Sequence, residues 1–289
     1  MKYNINYAPP LDIPSFQLTV TEGCSHNKCI FCNMFSDIEF RVIPIDEIER
    51  DLQQASAHNP YIDRVFLESG DAFVLSAQQL IKIAGLIHHY LPKVEVIASY
   101  ASIKNIMSKT DEELNALAKE GFGEINIGLE SGLDDVLAFM NKGFHIAQVK
   151  EQLIRLRHAK ISFSINIIGG SAGSTRIIEN AIASANICNE VQPSLIYVSP
   201  LQVDRGSRIE SMIASGDFKK LNLGEYIMEE IEFLKYLKLD NCGYYAAHML
   251  NPVSLLGTLP YDKERMLSEL QKGMNKYREM GMLSYQLNC

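Results

Sequence analysis

The chain has 289 residues, of which 47% are apolar and 21% charged, and its formal net charge is −8. This composition is ordinary for a soluble globular protein, and the length allows one α/β barrel or two smaller domains. The acidic balance leaves no basic stripe, which argues against a nucleic-acid partner. No segment has the roughly 18 uninterrupted apolar residues of a membrane span, and the first ten residues lack the apolar core of a signal peptide. The expected location is therefore cytoplasmic.

Short apolar runs and helical patterns alternate along the chain. The predicted strands cover residues 16–21, 64–68, 94–98, 124–128, 162–168 and 195–199. The predicted helices cover residues 46–56, 77–90, 111–119, 134–141 joined by 147–158, 175–190, 207–214, 223–237 and 263–280. Thr110 and Glu113 form a capping box at the start of one helix, and Gly121 follows the end of that helix as a left-handed cap requires. Strands separated by helices of this length are typical of βαβ units with a parallel sheet.

Six such units form either a doubly wound open sheet or a complete or partial barrel, and periodicity alone does not separate these folds. The strand ends are more informative, because parallel α/β folds build their sites at the carboxyl ends of the strands. The residues that follow the predicted strands are polar or glycine-rich, as in Glu68–Asp71, Ser99–Tyr100, Glu130–Gly132, Asn166–Gly170 and Ser199–Gln202. Strands must end in polar loops in any fold, but that need does not explain the carboxylates and paired glycines. We therefore expect a functional site at this edge.

Three cysteines, Cys24, Cys29 and Cys32, lie within nine residues directly after the first predicted strand. A structural zinc or electron-carrier site usually closes its coordination with a fourth protein ligand, whereas a catalytic metal keeps one position open. Three thiolates on one short loop therefore indicate a metal centre whose last position binds a small molecule. A zinc site that is completed by a distant ligand such as His26 is the alternative.

The other cysteines, Cys188, Cys242 and Cys289, are scattered. Disulfide frameworks belong mainly to small secreted domains, so clustered cysteines in a chain of this kind indicate metal binding or catalysis. Cys188 follows the apolar side of a predicted helix and is expected to be buried packing. A contact between Cys242 and Cys289, or a second metal site there, is a minor alternative because neither has a close-spaced partner.

The cysteine loop resembles that of the radical S-adenosylmethionine superfamily, in which three cysteines hold a [4Fe–4S] cluster. A fourth iron of that cluster binds the amino and carboxylate groups of S-adenosylmethionine. The family pattern is Cys-x3-Cys-x2-Cys with an aromatic residue before the last cysteine, and Phe31 occupies that place here. By resemblance, Phe31 packs near the adenine. This chain departs from the pattern because four residues, rather than three, separate Cys24 from Cys29.

Further segments between residues 14 and 205 resemble the branch that includes oxygen-independent coproporphyrinogen oxidase, elongator-type and methylthiotransferase proteins. In the family, a glycine and acidic motif after the second strand receives the cofactor's ammonium, and a polar residue after the fourth strand contacts the cofactor. Each segment alone also has an ordinary explanation, as a loop, a helix-terminal acid favoured by the dipole, or a tight turn. The resemblance and the strand ends together predict that the cofactor is bound by Phe31, Ser69, Gly70, Asp71, Ser99, Glu130, Asn166, Gly169, Gly170 and Gln202.

The resemblance implies an α/β fold with a partial (β/α)6 barrel in residues 1–205. Residues 206–289 then form a C-terminal helical extension that covers the barrel mouth and is not an independent domain. The resemblance also implies an oxygen-sensitive enzyme whose cluster is reduced by an external one-electron donor such as flavodoxin or ferredoxin. S-adenosylmethionine is then cleaved to methionine and a 5′-deoxyadenosyl radical, which takes a hydrogen atom from the substrate. The sequence shows no appended RNA-binding module, so we expect a small-molecule or peptide substrate.

Residues 241–251 mix tyrosines, a histidine and asparagines with small residues, which is a composition suited to a polar pocket. We predict that His248 and Tyr245 are catalytic residues that face the substrate. The alternative is an irregular connection with packed tyrosines. Lys142 and Arg155 are expected to be solvated charges on helix faces. Two other classes of protein remain open, a cluster-holding electron-transfer protein without radical chemistry and a structural zinc-binding α/β protein.

Overall fold

The computed structural model describes residues 8–286, so residues 1–7 and 287–289, including Cys289, lie outside it. The described residues form two compact units. The first contains residues 8–27, 35–127 and 152–163, and the second contains residues 28–34, 128–151 and 164–286. The second unit runs through residue 205 without a break, and the predicted boundary there stays a prediction. No helix within residues 8–286 is both long and apolar enough to cross a membrane.

The strands alternate with helices, as predicted. The strands are β1 (Phe16–Thr19), β2 (Thr21–Glu22), β3 (Arg41–Val42), β4 (Arg64–Glu68), β5 (Val96–Ala101), β6 (Phe122–Glu130), β7 (Ser162–Gly169), β8 (Leu195–Pro200), β9 (Cys242–Ala246) and β10 (Leu255–Leu259). The helices are α1 (Ile45–His58), α2 (Ala77–Tyr90), α3 (Ile103–Met107), α4 (Asp111–Lys119), α5 (Asp134–Phe139), α6 (Ile146–His158), α7 (Ile177–Val191), α8 (Arg208–Ser215), α9 (Leu223–Tyr236) and α10 (Lys263–Glu279). A 3-10 turn covers Ala72–Val74.

In the first unit, β1, β4, β5 and β6 lie side by side in that order, and all of them run parallel. Val65, Phe66 and Leu67 of β4 are all buried, which is typical of a parallel strand that is covered on both faces. Ile48 of α1 and Leu80 of α2 are buried as well, and these two helices contact each other. The short strands β2 and β3 form a separate antiparallel pair.

In the second unit, β7, β8 and β9 run parallel in that order, and β10 pairs antiparallel with β9. Helix α7 packs against α9, and α10 packs against both α9 and β10. A buried apolar cluster that includes Ile30, Met140 and Ile209 joins the cysteine loop to α8 and to the turn after α5.

The parallel α/β fold class is confirmed. Within each unit the parallel strands follow one another in chain order, without the reversal that marks a doubly wound sheet. The capping box at Thr110 is confirmed, because its hydroxyl accepts the Glu113 N–H and Glu113 accepts the Thr110 N–H. Gly121 has a φ of 89°, as its capping position requires. The three C-terminal helices are present, but the same region also contains β9 and β10, which were not predicted.

Candidate metal and cofactor site

In the first unit, the segment Ser69–Asp71 lies directly against the start of the cysteine loop. The Ser69 hydroxyl and the Gly70 N–H both donate to the carbonyl oxygen of Gly23, at 2.6 and 3.1 Å. A side chain at Gly70 is excluded, because an added Cβ would lie 2.6 Å from the Cβ of Cys24. These contacts bring two predicted cofactor residues next to the first predicted metal ligand.

Asp71 is engaged with the residue that follows Cys24. Its carboxylate accepts the Ser25 N–H at 2.9 Å and also the Ser25 hydroxyl. The Asn27 N–H donates to the Sγ of Cys24 at 3.4 Å. Asp71 therefore holds the backbone around Cys24. The prediction that this segment receives an ammonium group stays a prediction.

Ser99 lies in β5, is buried, and donates to the carbonyl oxygen of Tyr100 at 3.0 Å. Its pairing partners in the neighbouring strands are Leu67 and Ile125. Tyr100 contacts Phe66 edge to face, with ring centroids 5.2 Å apart. The structure therefore gives Ser99 a place in the interior of the sheet, and its contact with a cofactor stays a prediction.

In the second unit, Cys29 and Cys32 lie on a segment that backbone groups anchor at several points. The Ile30 N–H donates to the Met140 carbonyl oxygen at 3.2 Å, and the Ile209 N–H donates to the Ile30 carbonyl oxygen at 3.1 Å. The Asn141 side chain donates to the Lys28 carbonyl oxygen at 2.7 Å. The turn after α5 and the start of α8 therefore fix the backbone between these two cysteines, both of which are half-buried.

Glu130 and Lys142 form an ion pair beside Phe31. Their charged atoms lie 2.8 Å apart, and the Lys142 side chain is only 12% exposed. The Lys142 Nζ lies 5.9 Å from the Phe31 ring centroid. Burial acts to lower the pKa of Lys142, but the charges of Glu130, Cys29 and Cys32 outweigh it and raise that pKa. The expectation that Lys142 is a solvated helix-face charge was wrong, because it lies in the turn between α5 and α6 and pairs with Glu130.

Arg155 was also wrongly expected to be solvated. Its guanidinium, in the first unit, binds Asp111 at 2.6 Å and donates to the carbonyl oxygen of Lys109 at 2.5 Å. This side chain therefore fixes the connection between α3 and α4.

Two predicted site residues have a positive φ, which is uncommon for residues other than glycine. Ser69 has a φ of 129° and Glu130 a φ of 71°, and both stand at the carboxyl end of a strand. Such residues cost about 1–3 kcal/mol and cluster at functional sites. The observed strain therefore agrees with a functional role for these two strand ends.

Asn166 and Tyr245 fall in one row across the sheet of the second unit. Asn166 of β7 pairs in register with Tyr197 of β8, which pairs in turn with Tyr245 of β9. The rings of the two tyrosines lie 5.4 Å apart. The structure therefore places a predicted cofactor residue and a predicted catalytic residue in one row, two strands apart. Tyr197, which was not predicted, stands between them.

The Gly169–Gly170 turn follows β7 and is held by α9. An added Cβ at Gly169 would lie 2.3 Å from the ring of Tyr226. The Gly170 N–H donates to Glu229 at 2.6 Å, and Glu229 also accepts from the Asn180 side chain at 2.8 Å. Burial raises the pKa of Glu229 to about 7, although these hydrogen bonds act to lower it. Asn180 and Glu229 were not predicted as site residues. The only sequence feature that could have indicated them is a polar side chain on a helix face that is otherwise buried.

Gln202 and His248 are both exposed. Gln202 donates to Asp204 at 2.9 Å, and Asp204 accepts the Asn33 N–H at 3.1 Å, next to Cys32. The Nδ1 of His248 lies 3.3 Å from the Leu250 N–H, in the turn that follows β9. Gln202 thus lies near the cysteine segment, whereas the substrate contact of His248 stays a prediction.

Among residues 8–286, no group of three or more His, Cys, Asp and Glu side chains is arranged as the ligands of a single ion. Cys188 is fully buried, as predicted, and burial raises its pKa. Cys242 is also buried, and burial raises its pKa to about 12.

The chain is similar to one curated protein and to several solved structures. An uncharacterized protein of Methanocaldococcus jannaschii is 23% identical over 271 residues, which are 89% of this chain and 81% of that protein. Methylornithine synthase has a TM-score of 0.52 and 16% identity, with 94% of this chain and 83% of that chain covered. The match to coproporphyrinogen III oxidase from Escherichia coli has a TM-score of 0.51 and 15% identity, with 92% and 52% covered.

The radical S-adenosylmethionine methyltransferase TsrM from Kitasatospora setae gives a TM-score of 0.56 at 15% identity. The match covers 70% of this chain but only 39% of that methyltransferase. At these identities the solved structures show a shared fold and leave the reaction open. The model of the Radical SAM superfamily matches residues 18–174, which is more than half of the chain. This protein therefore belongs to the radical S-adenosylmethionine superfamily of enzymes.

Proposed function

We propose that Cys24, Cys29 and Cys32 hold a [4Fe–4S] cluster and that the chain binds S-adenosylmethionine beside it. The observation that carries this proposal is the three-cysteine segment itself, which lies after β1 inside the region that matches the family. Each cysteine is half-buried, and the chain anchors the backbone around it. A thiolate set of this kind suits iron–sulfur ligation.

When bound, the cluster and S-adenosylmethionine would supply a 5′-deoxyadenosyl radical that takes a hydrogen atom from the substrate. Ser69, Gly70 and Asp71 hold the start of the cysteine loop and would present polar groups to the cofactor's ammonium. Phe31 offers an aromatic face for the adenine. Glu130 and Lys142 place two opposite charges beside that ring.

The remaining predicted residues would position the rest of the cofactor. Gly169 and Gly170 would border the cofactor from a turn that packs against Tyr226 and Glu229 of α9. Ser99 within β5, Asn166 within β7 and Gln202 just after β8 would add polar contacts. A substrate radical needs a dry site, so residues 206–289 are proposed to cover the barrel mouth and exclude water.

The proposed substrate is a small molecule or a peptide, with His248 and Tyr245 facing it. Tyr245 is supported by its row with Tyr197 and Asn166. Replacing His248 by alanine is expected to spare cleavage of S-adenosylmethionine without substrate and to abolish substrate turnover. The exposed His89, changed to alanine, is the control, and unchanged turnover in the His248→Ala variant would remove this role.

Electrons would come from an external donor such as flavodoxin or ferredoxin. A thiolate-bound cluster of this type is oxygen-sensitive and needs a reducing compartment, so we also place the protein in the cytoplasm. The donor would act as a separate partner protein.

Anaerobic reconstitution with iron and sulfide tests the proposal. The wild-type chain should bind about four iron atoms, absorb broadly in the visible range, bleach with dithionite and then release 5′-deoxyadenosine from S-adenosylmethionine. Cys29→Ala should lose the iron and the product. Cys188→Ala, the same change at a buried cysteine of α7, should keep both.

The other outcomes identify the rival classes. A wild-type protein that bleaches without forming 5′-deoxyadenosine would be an electron carrier. A colourless protein that binds one zinc ion would be a structural zinc protein. Either result would overturn the proposed radical chemistry.

A further inference from the structure

A buried hydrogen-bond network ties two proposed cofactor segments to helix α9. The segments are Glu130–Gly132, at the end of β6, and Gly169–Ser171, at the end of β7. The side chains of Ser131, Asn180 and Glu229, which connect these segments, are all at least nine-tenths buried.

Asn180 stands at the centre of this network. Its Oδ1 accepts the Ser131 hydroxyl at 2.5 Å. Its Nδ2 donates to the Ser171 hydroxyl oxygen at 3.2 Å and to the Glu229 Oε1 at 2.8 Å. One amide therefore contacts both cofactor segments and the acid on α9, with two hydrogen bonds donated by its nitrogen and one accepted by its oxygen.

Glu229 completes the network at the glycine turn. Its Oε2 accepts the Gly170 N–H at 2.6 Å, while its Oε1 accepts the Asn180 amide. Both oxygens act as acceptors, so the ionised carboxylate fits this place better than a protonated acid or an amide. The cost of burying the carboxylate is offset only if both donors are in place.

We infer that Asn180 and Glu229 are positioning residues that hold Glu130–Gly132 and Gly169–Ser171 in the geometry that binds S-adenosylmethionine. This inference rests on the proposed function. The two residues act through the backbone of the cofactor segments and are not proposed to touch the cofactor. Replacing either residue should therefore cost more free energy of S-adenosylmethionine binding than free energy of unfolding.

The network also predicts that binding depends on pH. The pKa of Glu229 is raised to about 7 by burial, so the carboxylate becomes protonated as the pH falls below that value and one acceptor is lost. Affinity for S-adenosylmethionine should then fall. The titratable groups that interact electrostatically with Glu229 are Glu230 and Tyr226 on α9. These two groups interact in turn with Tyr244 on β9, which also interacts with Cys188 on α7.

The test exchanges the amide and the carboxylate between positions 180 and 229. Asn180→Asp places two carboxylates together and should raise the dissociation constant for S-adenosylmethionine by about tenfold or more. In the double variant N180D/E229Q, the side-chain amide at position 229 can donate to the carboxylate at position 180. This variant should therefore recover most of the affinity for S-adenosylmethionine. N180D/E230Q has the same net charge but changes the neighbouring acid, which bonds Tyr244 rather than the turn, and it should not recover.

Binding is measured on anaerobically reconstituted protein across pH 6 to 8.5. Amide hydrogen exchange of residues 168–172 is measured on metal-free protein as a second readout. Glu229→Gln should remove the pH dependence of binding, and Glu230→Gln should retain it. Faster exchange at the turn is expected in Glu229→Gln and not in Glu230→Gln.

The inference is overturned if N180D binds like the wild type, or if N180D/E230Q recovers as fully as N180D/E229Q. If N180D alone does not fold, the pH dependence of binding and the exchange data for Glu229→Gln and Glu230→Gln still decide the matter. A wild-type protein that fails to bind S-adenosylmethionine would overturn the proposed function instead, so the two failures are distinguishable.

Discussion

Lys142 and Glu130 show that a buried charged side chain needs a close partner of opposite charge. A lysine ammonium loses most of its hydration at 12% exposure, and only a close opposite charge offsets that cost. Glu130 provides the charge at 2.8 Å, from a backbone position with a φ of 71°. The pair stands next to Phe31, and Lys142 belongs to the turn that anchors the segment of Cys29 and Cys32. Because the pair is buried, removing one partner would leave the other charge unpaired and destabilise the fold.

Replacing Lys142 by methionine should therefore destabilise the metal-free protein by about 3 kcal/mol, because it leaves the Glu130 carboxylate buried without its partner. The double variant K142M/E130Q should lose much less, because no charge remains in the site. The measurement is the free energy of unfolding in urea at neutral pH.

The control is Lys150→Met. Lys150 and Glu190 lie 2.7 Å apart, almost the same distance, but their side chains are 36% and 52% exposed. An exposed pair of this kind contributes at most about 1 kcal/mol. Equal losses in the two single variants would show that burial is not what makes the Lys142 pair important.

At the scale of elements, Lys109 joins α3 to the 3-10 turn at Ala72–Val74. Its ammonium donates to the carbonyl oxygens of Phe73 and Asn105 at 2.7 and 3.2 Å, and it lies 4.4 Å from the Phe73 ring centroid. Burial lowers the pKa of Lys109 from 10.5 to about 8. The elements are thus joined by a cation that is easier to deprotonate in the folded chain than in the unfolded chain.

This difference predicts a pH effect on stability. Between about pH 8 and pH 10 the unfolded chain binds more protons at Lys109 than the folded chain, so its contribution to the free energy of unfolding rises with pH, by about 2 kcal/mol. The rise should disappear in Lys109→Met. The measurement compares urea unfolding of the wild type and the variant at both pH values, since their difference cancels the titration of other groups.

Lys119→Met, at an exposed position of α4, provides the control and should keep the full rise. If the rise persists in Lys109→Met, a different group accounts for the effect and the ammonium does not titrate as described.

Helices with local start and stop signals were predictable from the sequence. Helices α2 and α4 begin and end at the predicted residues, because capping boxes at Ser76 and Thr110 fix where each helix begins. The hairpin of β9 and β10 was missed. Its first strand, Cys242–Ala246, takes its place beside β8 through pairing with a strand more than forty residues earlier, and no local signal carries that information.

At the scale of the whole molecule, motifs of contiguous residues were predictable from the sequence. Contacts between residues that are far apart in the sequence were not. Cys24, Cys29 and Cys32 lie in one short segment, and that segment, together with the residues at successive strand ends, predicted the family. The link from Asn180 to Glu229 joins residues that are 49 positions apart, and nothing in either local sequence indicates it. The ion pair of Lys142 was missed for a similar reason, because its burial depends on how the turn after α5 packs.

The charge of the whole chain bears on the substrate. Proteins that bind nucleic acids gain most of their affinity from lysine and arginine contacts with phosphates. This chain has 27 basic and 35 acidic residues, so a nucleic-acid polyanion should bind weakly. We therefore expect small-molecule or peptide fractions of a cell extract, rather than its RNA, to stimulate the enzyme.

The test adds fractions to reconstituted, dithionite-reduced enzyme and measures 5′-deoxyadenosine by chromatography. A low-molecular-mass or peptide fraction should raise its release above the rate without substrate, and total tRNA at about 0.15 M salt should not, because salt screens the few phosphate contacts that this acidic chain can make. Cys29→Ala with the same fractions shows how much product forms without the cluster. Stimulation by tRNA that ribonuclease treatment abolishes would contradict the prediction and assign the enzyme an RNA substrate.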